Sequence, residues 1–156
     1  MNSWKWLCTA VCLLFCCTSV ATEPLETEIR TLVDQYNRAF AEGDVESISE
    51  FVYAVPSYLF FGNDNLTLNS KDDIKNVFGE MIHSLKSDDY ERSDVDIQSV
   101  CVLNPTDALL SIAYTRRRTN ESVIETGEAT YLLHKFPTGW RIVVLTWHSD
   151  GNPPRC

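Results

Sequence analysis

The sequence predicts an α+β fold in which helices come first and an antiparallel sheet follows. Apolar residues recur every three or four positions up to about Leu85, which is the helical period, and every second position after Tyr90, which is the strand period. Short segments rich in Pro, Asn and Gly separate the later strands, as in a series of antiparallel hairpins. This order is typical of α+β proteins with the helices gathered on one face of the sheet.

Three helices are predicted in the first part of the chain. The first covers residues 26–41, where the apolar residues share one helical face. Asp44 has the position of an N-cap for a short second helix. This second helix is expected to bury four apolar residues: Val45, Ile48, Phe51 and Val52. Ser70 and Asp73 have the spacing of a capping box, which predicts the start of the third helix.

A short hairpin and four long strands make up the predicted sheet. The hairpin pairs an aromatic strand at residues 57–61 with a short returning strand at residues 66–68. The long strands follow Tyr90 and are separated by three turns: residues 105–107, 120–121 and 137–139. Nothing in the chain indicates an internal repeat or a second domain.

Residues 1–21 are predicted to be a secretory signal peptide. They contain Lys5, an apolar run at residues 7–17, and a small-residue site that ends at Ala21. The apolar run is shorter than the roughly 20 residues that span a bilayer. An uncleaved N-terminal anchor is the alternative. We therefore expect a secreted or periplasmic protein whose single domain covers residues 22–156.

The number of cysteines that remain for disulfide bonds depends on whether residues 1–21 are a cleaved signal peptide. Four of the six cysteines lie in the predicted signal peptide, which leaves Cys101 and Cys156 in the mature chain. In an oxidising compartment these two could form one disulfide, or one of them could pair with another chain. Both alternatives stay open because a sequence gives no Cα separation.

The charge of the mature chain limits its partners. The signal contributes one charged residue, Lys5, so 12 basic and 22 acidic residues remain, a net charge of −10. Such a surface repels phosphates, so we expect no nucleic acid and no anionic membrane as a partner. The sequons that begin at Asn65 and Asn120 predict glycosylation only if the host modifies secreted proteins.

Two segments, YNRAFAEGD and GWRIVVLTWHS, together with the order of the elements, carry a family resemblance. The chain resembles the nuclear-transport-factor-2-like superfamily, in its SnoaL-like branch, over about residues 26–149. The resemblance implies a cone-shaped, curved antiparallel sheet wrapped around three N-terminal helices, a pocket between them, and homodimers formed through the outer sheet face. The ending WRIVVLTWHSDGNPP is also similar to the non-catalytic association domain of calcium/calmodulin-dependent kinase II.

The ketosteroid isomerases of this superfamily suggest a role for Tyr36. Tyr36 lies seven residues before Gly43, as the tyrosine that hydrogen-bonds the enolate oxygen does in those enzymes. Their general-base position falls on Phe60, which cannot accept a proton, so that chemistry is not expected here. Glu128 lies near the position of their second donor and could share a polar ligand group with Tyr36. The alternative is that Tyr36 packs in the core and Glu128 faces solvent.

The resemblance extends to scytalone dehydratase, whose pocket histidines assist the removal of water. His148 follows four residues at period two, which would direct it to the same face at the mouth of the cone: Trp140, Ile142, Val144 and Thr146. We therefore consider His148 and Tyr36 as tentative catalytic residues, the alternative being a histidine with a structural partner. No metal site or cofactor is expected, because no His-Glu-x-x-His motif and no close Cys or His pair occurs.

The run Arg116–Arg118 is the densest positive charge in the sequence. Strand alternation directs Arg117 opposite to its neighbours, so at least one of the three could hold a carboxylate in the pocket. The alternative is that all three pair with acidic residues across the hairpin. Trp140 and Trp147 have opposite parity, which predicts one in the core and the other in a subunit contact.

These observations predict a homodimeric protein that binds a small apolar or carboxylate-bearing ligand without catalysis. Six residues are expected to contact the ligand: Tyr36, Tyr58, Phe60, Arg117, Glu128 and His148. One alternative is an isomerase, dehydratase or cyclase type of enzyme that uses His148 with Tyr36. The other is an oligomerising scaffold with a vestigial pocket that Phe60 and Phe61 fill.

Overall fold

The structure, a computed structural model, describes residues 22–148. The helical segments are α1 (Thr22–Glu42), α2 (Val45–Ser47), which continues into a π-helical turn (Ile48–Val52), and α3 (Lys71–Ser87). The strands are β1 (Tyr53–Phe61), β2 (Asp64–Leu68), β3 (Tyr90–Asn104), β4 (Asp107–Arg118), β5 (Val123–Phe136) and β6 (Gly139–His148). The predicted signal peptide and Cys156 lie outside the described residues.

All six strands form one curved, unclosed sheet in the order β2-β1-β6-β5-β4-β3. Neighbouring strands pair antiparallel except β1 and β6, which run parallel. The α+β class and the cone-shaped sheet around N-terminal helices are thereby confirmed. Among residues 22–148, no helix is long and apolar enough to cross a bilayer.

The capping box at the start of α3 forms as the sequence predicts. The Asp73 amide donates to the Ser70 hydroxyl at 3.1 Å, and the Ser70 amide donates to the Asp73 carboxylate at 3.0 Å. These two bonds satisfy amides that the first helical turn leaves without intrahelical partners. Helix α3 therefore begins at a fixed residue and buries one face: Ile74, Phe78, Ile82 and Leu85.

The expectation that Phe51 is buried is wrong. Its side chain is 57% exposed, whereas Val52 is 1% exposed. Both residues lie in the π-helical turn that follows α2, where hydrogen bonds reach from residue i to i+5 and each turn holds more residues. The residue that follows Ile48 on the inner side is therefore Val52, and Phe51 is rotated toward solvent.

The sheet has an inner and an outer face, and cross-strand partners share a face. On the inner face, Leu110 pairs with Tyr131, and Tyr131 with Leu145, and all three are buried against the helices. On the outer face, Leu109 pairs with Leu132. This division decides which predicted residues can reach a pocket between sheet and helices.

Candidate ligand pocket

A pocket with a volume of about 50 Å³ lies between α1 and the inner face of β3 to β6. Most of its wall is apolar: Leu32, Val33, Phe40, Val95, Leu110, Ile112 and Ile142. The remaining lining side chains carry polar atoms: Tyr36, Asn37, Ser93, Tyr114, Arg116, Tyr131 and Trp147. An apolar wall with a few polar groups is the usual composition of a small-molecule site.

A larger groove of about 820 Å³ lies between α1, the π-helical turn and the turn that joins β5 to β6. Its central charged groups satisfy one another, because Lys135 bonds Glu28 at 2.5 Å and the Trp140 indole donates to the same carboxylate at 3.0 Å. The groove is larger, but polar and charged side chains such as Gln35, Arg38 and Glu42 line much of it, whereas the inner pocket has the mostly apolar wall that is usual for a small-molecule site. The inner pocket is therefore the better candidate site.

Helix α1 directs Tyr36 into the pocket together with its helical neighbours Leu32, Val33 and Phe40. The Tyr53 hydroxyl donates a hydrogen bond to the Tyr36 hydroxyl at 3.3 Å. Burial raises the pKa of Tyr36 to about 12, although the bond from Tyr53 and the charge of Arg116 act in the opposite direction. The Tyr36 phenol is therefore protonated at neutral pH, and its own proton is free for a ligand atom.

Edge-on aromatic contacts fix the ring of Tyr36. Its centroid lies 5.7 Å from that of Tyr53, 6.0 Å from that of Phe40 and 6.1 Å from that of Phe78, with interplanar angles of 86° to 89°. Such pairs contribute roughly 0.5–1.5 kcal/mol each beyond the burial of their area. The position of the Tyr36 hydroxyl is thus held by packing before any ligand arrives.

Tyr131 supplies the pocket's unpaired polar group. Its side chain is 5% exposed, and among residues 22–148 its hydroxyl forms no hydrogen bond. In this range, the fully buried side-chain atoms without a partner are Ser57 Oγ and Glu128 Oε2, so the Tyr131 hydroxyl borders the open space of the pocket. Burial raises the pKa of Tyr131 well above its usual value, so the phenol remains a donor. A hydroxyl that borders the pocket can be satisfied there by water or by an acceptor atom of a ligand.

Arg116 brings a positive charge to the same wall. Its guanidinium pairs with Glu125 and lies over the rings of Phe40 and Tyr114, at 5.2 Å and 5.1 Å from their centroids. The side chain is only 13% exposed. Because a guanidinium has five N–H donors, the pair with Glu125 leaves donors for another acceptor.

Gly127 makes room for the ring of Tyr114, its cross-strand partner. A Cβ atom at position 127 would lie 2.5 Å from the Tyr114 hydroxyl oxygen and 2.6 Å from Cζ. Burial raises the pKa of Tyr114, while the charge of Arg116 and a hydrogen bond with Trp147 lower it. The glycine therefore lets Tyr114 lie across β5, in contact with the other polar residues of the pocket.

We expect Gly127→Ala to destabilise the protein by about 1–3 kcal/mol, because the new methyl group must displace the Tyr114 ring. The matched control is Gly79→Ala, where the added Cβ meets Val45 at an ordinary 3.9 Å. Since Gly79 lies inside α3, alanine there should be neutral or stabilising by up to about 1 kcal/mol. Urea unfolding of both variants measures the difference, and equal stabilities would contradict the role given to Gly127.

The structure does not bring His148 to Tyr36, which corrects the expectation from strand alternation. Leu132 pairs with Val144 but Leu133 pairs with Ile142, so Val143 is an extra residue, a β-bulge, in β6. One extra residue exchanges the faces of everything that follows it. His148 therefore points to the outer face, with Val144 and Thr146, and away from Trp140 and Ile142.

Trp147 takes the inner position that the bulge opens. Its ring stacks on Phe61 with centroids 4.3 Å apart and lines the pocket. Trp140 is also on the inner side and is 3% exposed. The prediction of one core tryptophan therefore holds for Trp140, but the bulge brings Trp147 to the same face of the sheet. The subunit contact predicted for the other tryptophan stays a prediction.

His148 and Glu128 are cross-strand neighbours on the outer face. The His148 Nε2 atom lies 3.0 Å from the Thr130 hydroxyl, and Nδ1 lies 3.5 Å from the Glu128 carboxylate. The expectation that Glu128 could share a ligand group with Tyr36 is thereby corrected, because the two side chains lie on opposite sides of the sheet.

Three other predicted ligand residues also lie outside this pocket. Tyr58 and Phe60 are each 39% exposed and pair with the outer-face residues Val144 and Thr146. Arg117 pairs with Asp94 on the outer face. Alternation does separate the arginines as expected, but it is Arg116 that reaches the pocket. Of the six predicted ligand residues, Tyr36 is the one that lines it.

Tyr131 and Arg116 are absent from the six predicted ligand residues, although Arg116 belongs to the run from which one inward-facing arginine was expected. Tyr131 alternates with Ala129 and Leu133, which are buried, and Arg116 alternates with Leu110 and Ile112. Parity with apolar neighbours therefore assigns both to the inner face.

No acidic or imidazole group lines this pocket in the described part of the chain. Residues 22–148 also contain no group of three or more His, Cys, Asp or Glu side chains that could hold a metal ion. The polar groups that reach the pocket, such as the Tyr36 and Tyr131 phenols and the Arg116 guanidinium, are mainly hydrogen-bond donors.

The sites predicted for covalent modification lie away from the pocket. Cys101 is disulfide-bonded and Cys156 lies outside the described residues, so their pairing stays a prediction. Asn65 in β2 and Asn120 in the turn after β4 are both exposed. Exposure permits glycosylation, which also stays a prediction.

The fold and the pocket define a class of protein: a single α+β unit whose curved sheet closes a small pocket against N-terminal helices. The chain belongs to the family described as NTF2-like protein (DUF6841), whose sequence profile matches residues 26–150. The nuclear-transport-factor-2-like superfamily predicted from the sequence is therefore confirmed. No curated protein matches the chain.

Several solved structures share the fold. A domain of unknown function with a cystatin-like fold from Nostoc punctiforme is 16% identical, with a TM-score of 0.67 over 83% of this chain and 79% of that chain. An NTF-2 like protein of unknown function from Shewanella oneidensis is 17% identical, with a TM-score of 0.65 over 80% and 98%. A structure from Xanthomonas campestris, described as a calcium/calmodulin dependent protein kinase II association domain, is 18% identical, with a TM-score of 0.60 over 81% and 88%. At these identities the likeness concerns the fold alone.

Proposed function

We propose that this protein binds a small, mostly apolar molecule with a hydrogen-bond acceptor, and that it does so without catalysing a reaction. The observation that carries the proposal is the Tyr131 hydroxyl, a donor that borders the mostly apolar pocket and forms no hydrogen bond within the described chain. A ligand acceptor would satisfy it.

The chemistry of the wall defines the class of ligand. Tyr36 and Tyr131 each offer a phenolic proton, and Arg116 adds a positive charge beside them. A ketone, an ester or a carboxylate fits these donors, and the apolar wall fits the rest of the molecule. Since about 10–15 Å³ holds one water-sized sphere, a volume of about 50 Å³ suits a compact molecule of a few non-hydrogen atoms.

The same set of pocket side chains favours binding without turnover. Acid–base catalysis near neutral pH needs a group that exchanges protons there, and both phenols titrate far above that range. His148, the acid or base of the alternative enzyme, faces the other side of the sheet. The predicted signal peptide and the disulfide at Cys101 support a secreted or periplasmic setting for this binding protein.

Titration calorimetry with two probes, cyclopentanone as a neutral acceptor and butyrate as a carboxylate, tests the proposal. We expect Tyr131→Phe to weaken binding of the accepted probe by about 2- to 10-fold, the effect of one lost hydrogen bond. Tyr58→Phe, the matched control on the outer face, should bind like the wild type. If neither probe binds, or if Tyr131→Phe binds equally well, the proposal fails.

A further inference from the structure

The larger groove between α1, the π-helical turn and the β5–β6 turn is elongated. It follows one face of α1, because its lining residues there recur every three or four positions from Glu28 to Glu42. These two ends are about 21 Å apart at a rise of about 1.5 Å per residue. An extended chain covers about 3.3–3.6 Å per residue, so about six residues of a peptide span the same length. The groove therefore has the dimensions of a site for a short peptide segment.

Two exposed aromatic side chains line this groove. Phe51 is 57% exposed and Phe136 is 39% exposed. The π-helical turn rotates Phe51 away from the core and into the wall of the groove, and turns of this kind are frequent at functional sites. Aromatic residues are enriched in protein interfaces and often contribute most of the binding energy. The two rings therefore offer a surface on which apolar side chains of a partner can pack.

Arg141 brings a positive charge without an acidic partner to the same groove. Its guanidinium donates to two uncharged oxygens, the Trp140 carbonyl at 2.8 Å and the Thr138 hydroxyl at 3.4 Å, and forms no ion pair within the described chain. The residue is half-buried, and burial lowers its pKa, although the charge of Glu50 acts in the opposite direction. A guanidinium that has lost part of its water is stabilised by a carboxylate, which it can bind through two parallel hydrogen bonds.

The acidic side chains of the groove leave this charge open. Three acids line it, and two of them are engaged: Glu28 in the ion pair described above, and Asp44 as the N-cap of α2. The third, Glu42, lies at the C-terminal end of α1. Arg38, an exposed residue of α1, also lines the groove and forms no ion pair among the described residues. Arg38 and Arg141 are therefore both available to carboxylates of a partner.

We propose that the larger groove docks an extended segment of a partner protein, about six residues long, whose apolar side chains pack on Phe51 and Phe136 and whose carboxylate binds Arg141. This surface is separate from the inner pocket, and the proposal does not depend on what that pocket binds. A second copy of this chain and a segment without acidic residues are the competing occupants.

A library of random hexapeptides displayed on phage, selected on the native protein, tests the proposal. The enriched sequences should combine Phe, Trp or Leu with Asp or Glu. A labelled synthetic copy of the most enriched peptide is then titrated by fluorescence anisotropy. Phe51→Ala should weaken its binding at least about 5-fold, as for an interface anchor. Arg141→Gln should weaken it by about 10- to 100-fold, the effect of a lost charge-assisted hydrogen bond.

Two controls separate the groove from the rest of the molecule. Arg30→Gln removes an exposed arginine of α1 that does not line the groove, and Tyr131→Phe changes the inner pocket alone. Both variants should bind the peptide like the wild type. Circular dichroism checks the fold of every variant, and Phe51→Ala keeps the test decisive if Arg141→Gln does not fold.

A copy of the peptide with each Asp and Glu replaced by its amide isolates the carboxylate contact. The wild type should prefer the acidic peptide by at least about 10-fold, and Arg141→Gln should bind both copies equally, because the two changes remove the same interaction. Three results would overturn the proposal: selection of no peptide or of peptides without acids, equal peptide binding by wild type and Phe51→Ala, or a preference for the acidic copy that persists in Arg141→Gln. A dimer in native mass spectra that Phe51→Ala dissociates would also overturn it and would identify a second copy as the occupant.

Discussion

Replacing Phe78 with alanine is expected to lower the free energy of unfolding by about 3–5 kcal/mol. Phe78 has no exposed surface and lies at the centre of an aromatic group with Tyr36, Phe40 and Tyr53. Removing the ring loses its transfer from water and leaves a cavity that these neighbours cannot fill without leaving their edge-on contacts. Urea unfolding followed by circular dichroism measures the change.

Phe51→Ala is the matched control, since the same side chain there is 57% exposed. Its effect should stay within about 0.5 kcal/mol, as for most surface substitutions. A loss of comparable size in both variants would mean that Phe51 is packed in solution, which would contradict the π-helical turn. Phe78→Ala should also loosen Tyr36, so a folded variant should bind the accepted probe more weakly than the Phe51 variant does.

The helices were predictable from the sequence because their signals are local. The spacing of Ser70 and Asp73 fixes the start of α3 through bonds within one turn, and the structure contains both. The environment of Phe51 was not predictable in this way. The prediction assumed a regular helix with 3.6 residues per turn. No sequence feature of residues 48–52 indicates the wider π-helical turn that rotates Phe51 outward.

The candidate site was predicted less well than the fold, and a single bulge explains much of the difference. Alternation gives each strand residue a face only while the register is unbroken. The extra residue Val143 moves His148 out of the predicted site and Trp147 into the pocket. No feature of the apolar run around Val143 distinguishes a regular strand from a bulged one. The inward orientation of Tyr131 could have been predicted from strand alternation, because β5 is regular at that residue.

Raising the pH to about 12 should remove about 2 kcal/mol of stability through Tyr36 alone, because half of the folded molecules still keep the proton at that pH. Burial raises the pKa of this phenol from 10.0 to about 12, so the unfolded chain loses the proton first as the pH rises. The stabilising contribution is complete below pH 10, the unfolded value, and disappears as the pH rises through the folded value. Burial also raises the pKa of Tyr53 and Tyr131, so the total loss should be larger.

Tyr36→Phe isolates this contribution because phenylalanine keeps the ring and removes the proton. The variant should be somewhat less stable at neutral pH, where it lacks the bond from Tyr53, yet lose about 2 kcal/mol less than the wild type between about pH 9 and pH 12. Tyr58→Phe, whose side chain is 39% exposed, should keep the full alkaline loss. Urea midpoints across this range measure both. Equal losses in wild type and Tyr36→Phe would mean that the Tyr36 hydroxyl is solvated, and the pocket would then lack the protonated donor on which ligand binding depends.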